Sequence, residues 1–175
     1  MALDLADPCQ QFLAGYPAGL LAQVRQALAS GELAANMARR YPDGHQVRSD
    51  GALYEHANAL KQRHLRHAPP LAKVAFDRRL QIDQRALGTL TGRSHVQGGR
   101  LAAKRELRVA AVFKDAPAAM LDMIVVHELA HLRHREHDKA FYALCEHMLA
   151  GYLQVEFDTR LFLTLRANAS VQIDV

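Results

Sequence analysis

Residues 127–137 read His-Glu-Leu-Ala-His-Leu-Arg-His-Arg-Glu-His, placing four of the chain's ten histidines within eleven residues. They follow an apolar run, Met120-Leu-Asp-Met-Ile-Val-Val126, that predicts a helix. Four helical residues turn the chain about 400°, so His127 and His131 differ by only ~40° and stand ~6 Å apart along the axis. Two imidazoles so related can reach one ion, which is why His127-Glu128-x-x-His131 is a zinc-site pattern. Glu128 stands one residue round from His127, near enough to take a proton from water on the ion. The plainer reading is a chance match at the solvated end of a helix carrying Arg133, Arg135 and Glu136. Against it stand an approach uncharged apart from Asp122, a glutamate at the general-base position and a further histidine at ligand spacing.

A catalytic zinc takes three protein ligands and keeps one position open. Three residues compete for the third place. His137 would lie ~15 Å beyond His127 on a continuous helix, so it reaches the ion only if the helix ends near residues 133–135 and folds back. The spacing matches the metzincin arrangement, except that His134 stands where those proteins have glycine. A left-handed turn at His134 would cost about 1–2 kcal/mol. His134 itself shares the helical face but leans away from convergence. Glu146 qualifies if the next helix crosses beneath the first. The spacing favours His137.

With 175 residues, half of them hydrophobic, the chain suits one soluble domain with a real core. Its apolar runs fall short of a membrane span. Acids in Met1-Ala-Leu-Asp-Leu-Ala-Asp-Pro8 argue against a signal peptide, and Cys9 and Cys145 form no CxxC or disulfide ladder. A reduced, cytoplasmic protein without a membrane partner is expected. The net charge of +4 is uneven: residues 61–108 hold twelve Lys or Arg against three Asp or Glu, a local +9 that leaves −5 elsewhere. That stretch could meet a nucleotide or nucleic acid, although basic side chains that merely solvate a surface explain it more simply.

Periodicity and punctuation predict helices over Leu20–Leu28, Glu32–Arg40 and Ala52–Leu65, the last stopped by Pro69-Pro70. Strand-like pieces follow at Lys73–Phe76, Ala86–Val96 and Leu107–Phe113, with Gly98-Gly99 as a turn. Pro117 opens the histidine-bearing helix, Asp138 caps the next as far as about Leu149, and a last helix runs from Gln154 to Leu165. Helices, a small mostly antiparallel sheet and then the metal-bearing helices make an α+β, zincin-like single domain over 1–175, helical to about 68 and with its core over about 70–166. Tyr142, His95 and His147 are weaker candidates, each read more simply as packing or surface.

The stretch Met123-Ile-Val-Val-His-Glu-Leu-Ala-His-Leu-Arg-His-Arg-Glu-His-Asp-Lys-Ala-Phe-Tyr142 resembles the YgjP-like metallopeptidase family, related to the SprT-type and Wss1-like (WLM) zinc proteases. Gly15-Tyr16-Pro17, Arg40-Tyr41-Pro42, Ala68-Pro69-Pro70, Val96-Gln97-Gly98-Gly99 and Glu156-Phe157-Asp158-Thr159-Arg160 extend the resemblance along the chain. It implies zinc on His127, His131 and His137, with Glu128 as catalytic base. The Arg-Trp-Gly-Ser element of many relatives is replaced by Ser94-His95-Val96-Gln97-Gly98-Gly99, and the chain has no tryptophan.

The expected activity is zinc-dependent hydrolysis of a peptide bond in a peptide or protein substrate. Two alternatives accompany it. One is a nucleotide pyrophosphohydrolase of the UTP-diphosphatase type, with the stretch 61–108 holding phosphates. The other is a nucleic-acid-associated protease of SprT or Wss1 type, or a DNA-binding module with structural zinc.

Overall fold

The computed structural model describes residues 7–80, 88–97 and 100–173, the side chains of 88–104 and 170–173 excepted. Helices α1 (Pro8–Leu13), α2 (Ala18–Ala29), α3 (Glu32–Arg40) and α4 (Asp50–His64) precede strands β1 (Leu71–Asp77), β2 (Gly88–Gln97) and β3 (Arg100–Ala110). A 3-10 turn (Ala111–Asp115) leads into α5 (Ala118–Ala130), α6 (Lys139–Met148) and α7 (Tyr152–Ile173). The α+β class stands. Among the described residues no helix is long and apolar enough to cross a membrane.

The sheet corrects the expectation of a mostly antiparallel arrangement. Its order is β1-β3-β2: β2 and β3 are antiparallel, whereas β1 and β3 run parallel. The reason is topological, since β2 is itself the return leg and lets β3 enter between β1 and β2 in the direction of β1. β3 stops at Ala110, not Phe113, because Asp77, the last residue of β1, pairs with Ala110 and the first residue of β2, Gly88, with Val109. Beyond that point the described residues offer no ladder to join. The chain tightens into the 3-10 turn and Phe113 enters the core fully buried. The expected Gly98-Gly99 turn lies outside the described residues.

α5 is buried almost all round: Met120, Leu121, Met123, Ile124, Val125, Val126, Leu129 and Ala130 are all in the core. A helix apolar on every side is stable only when covered on every side. The sheet, α4, α6 and α7 provide that cover. Asp122, its one early charge, lies 2.7 Å from His56 Nε2 of α4. Pro117 stands just before the helix, as its N-cap.

At the two ends of the described chain the helices differ from expectation. α1 was not anticipated; Asp7 caps it by accepting from the Cys9 amide at 2.9 Å, and Cys9, Phe12 and Leu13 are buried. α7 continues to Ile173 instead of ending at Leu165. Arg166-Ala-Asn-Ala-Ser-Val-Gln-Ile173 contains neither glycine nor proline to stop it.

Candidate metal centre

His127 lies in the last turn of α5, and His131 is its C-cap at φ −65°, ψ −12°. The helix ends earlier than the expected residues 133–135. Residues 131–133 form a turn, after which the His134 amide donates to the Ala130 carbonyl at 2.9 Å. No non-glycine residue among those described has positive φ, so the left-handed turn expected at His134 is not used. The early exit makes it unnecessary. His134 instead offers its carbonyl, 2.9 Å from His131 Nδ1.

Asp138 then caps α6, accepting from the Phe141 amide at 2.9 Å. This fixes the residue immediately after His137. The result is a cluster of three histidines whose ligand atoms all lie within 4.8 Å of one another. Nε2 of His127 and Nε2 of His137 are 3.0 Å apart. Phe141 floors the cluster, with ring centroids 5.0, 4.7 and 4.8 Å from those of His127, His131 and His137.

The donor set fits a metal ion. Tetrahedral coordination at 2.0–2.1 Å puts neighbouring ligand atoms about 3.3 Å apart, close to the 3.0 Å between the Nε2 atoms of His127 and His137. Burial and the neighbouring imidazoles push the His127 pKa down to about 3, with a smaller contribution from the Arg160 charge. His131 is also lowered, chiefly by burial. Both therefore stay neutral, the form that ligates. Glu128 is 2% exposed, and burial pushes its carboxyl up to about 8.

The competing ligands have other tasks. Glu146 caps α7: its carboxylate accepts from the Gly151 amide at 3.0 Å and the Leu153 amide at 2.9 Å. His147 is exposed on α6 and meets His64 edge-on at 5.8 Å. Tyr142 packs beside His137, Phe141 and Tyr152. The side chain of His95 lies outside the described residues. In the basic stretch, Lys61 is buried at 3% exposure and Arg108 pairs with Asp77 and Glu106, so these two cations are not a free surface.

Sequence reasoning missed Tyr152. Its hydroxyl lies 2.6 Å from His127 Nδ1, and its side chain is wholly buried. A tyrosine 25 positions from its partner leaves no periodic signal.

Comparison with known proteins converges on this segment. Residues 97–157 match the model of the YgjP-like family, described as a metallopeptidase domain. The chain is also 52% identical over 153 residues to the UTP pyrophosphatase of Escherichia coli (strain K12), covering 87% of this chain and 92% of that protein. No solved structure matches. Both descriptions are of hydrolases, and the identity extends well beyond the histidine segment. The chain belongs to the YgjP-like family.

Proposed function

We propose that this protein is a zinc-dependent hydrolase acting on a UTP-type nucleoside triphosphate, with His127, His131 and His137 holding the ion and Glu128 as general base. The 52% identity to the UTP pyrophosphatase over 92% of its length carries the choice of substrate. The site itself supports hydrolysis.

His127, His131 and His137 would hold the ion, which would supply Lewis-acid chemistry, making water acidic enough to lose a proton near neutral pH and offsetting charge at the attacked centre. Glu128 takes that proton. Its carboxyl, raised by burial to about 8, would be drawn by the positive charge into the range where a base works at neutral pH. The water oxygen bonds to the α-phosphorus, the bond to the bridging oxygen breaks, and pyrophosphate departs with the electron pair. Nucleoside triphosphate and water become nucleoside monophosphate and pyrophosphate.

A second reading, peptide-bond hydrolysis, is favoured by the family description and by the HExxH geometry. Glu128 would then return its proton to the leaving amine.

The test gives metal-loaded protein UTP and a peptide library in parallel, beside Glu128→Gln. Formation of UMP and pyrophosphate is expected, reduced at least about 100-fold in the variant with its metal retained. Peptide cuts without UTP turnover would replace the first reading by the second.

A further inference from the structure

We propose that Tyr152 is a positioning residue: it fixes the tautomer and ring plane of His127 and thereby sets how tightly the centre holds metal. The inference rests on the three histidines binding an ion.

The chain builds this contact deliberately far from the motif. α6 ends at Met148, and Gly151 turns the chain at φ +75°, a conformation that favours glycine. The two bonds from Glu146 secure the first turn of α7. These features deliver Tyr152 to the back of His127, its ring inclined only 22° to the imidazole at 6.3 Å. Nε2 of His127 faces His137; with Nε2 turned to an ion, Nδ1 would carry the proton and donate to the Tyr152 oxygen, 2.6 Å away.

His131 obtains the equivalent support from a backbone carbonyl, which no substitution removes. For His127 the support is a side chain. Loss of such a partner to a ligating histidine costs 10–100-fold in metal affinity or activity.

Tyr152→Phe keeps the ring and deletes one oxygen. Zinc and cobalt affinities are read by competition with a chromophoric chelator, under conditions where both proteins are folded. We expect binding weakened 10–100-fold in the variant, with an altered cobalt absorption spectrum. Nitrogen-15 NMR of the wild type should show a slowly exchanging His127 Nδ1–H. A variant binding within twofold of wild type overturns the proposal, as does a wild type whose His127 is protonated on Nε2. Wild-type protein that binds neither metal at micromolar concentration overturns the metal centre itself, a separate outcome. A role in packing alone would lower stability and leave affinity and tautomer unchanged.

Discussion

Burial raises the Glu128 carboxyl to about 8 in the metal-free chain, against an ordinary value of 4.5. The folded state therefore keeps a proton that the unfolded chain gives up. The associated stability is fully present below pH 4.5 and is lost as pH rises through 8. Glu128→Gln removes that titration. In chelator at pH 8.5 the variant should be more stable than wild type by on the order of 4 kcal/mol, with little difference at pH 5, as read by urea unfolding. A wild type equally stable at both values would mean that Glu128 is ionised in the fold. His127 titrates with the opposite sense: held to about 3, it contributes stability present above pH 6.5 and lost as pH falls towards 3. Its neutrality and the position of Glu128 beside it come from one cause, the dry end of α5.

Between elements, a polar tie away from the histidine cluster joins the end of α3 to α7. Asp158 is 2% exposed; it accepts from the Tyr41 hydroxyl at 2.6 Å and from Gln154 at 3.1 Å, and faces Arg40 at 3.3 Å. Two of the short motifs read from the sequence, Arg40-Tyr41-Pro42 and Glu156-Phe157-Asp158-Thr159-Arg160, thus meet in space. Removing Asp158 leaves the Tyr41 hydroxyl and Gln154 amide without their acceptor, while the half-exposed Arg40 turns to solvent. Asp158→Ala is expected to cost about 1–3 kcal/mol while leaving metal affinity within about threefold, checked by urea unfolding and chelator competition. An affinity loss as large as that of Tyr152→Phe would show that the two ends of this face of α7 are coupled. The element boundaries that sequence punctuation marks were legible: Glu32–Arg40, the Asp138 cap and the start of the helix bearing His127 after Pro117 fall where capping and periodicity predict. Where a strand ends was not legible, because Ala110 is terminal only by the reach of its partners.

For the whole molecule, an ion at the centre would tie α5, the turn after it and the start of α6 together, with α7 supporting them through Tyr152. Metal that binds only the folded state adds about 2.7 kcal/mol at a free concentration 100 times its Kd. For a chain of this size that corresponds to roughly 5–10 °C in Tm. Calorimetry of metal-free and zinc-loaded protein should show this gap, and His137→Ala should abolish it. An unchanged Tm would argue against a specific centre.

The sequence by itself determined which groups could meet: the residue types and spacing of His127, Glu128 and His131 are local, and one turn of helix converts that spacing into proximity. It also determined that the chain must leave the helix for His137 to return. Tertiary structure decided how. It ended α5 at Ala130 without a left-handed residue and assigned Glu146 to the cap of α7. It also ran β1 parallel to β3 and placed Tyr152 behind His127. Those outcomes depend on which distant segments share a wall of the core, and contact across tens of residues carries no periodicity that a sequence can display.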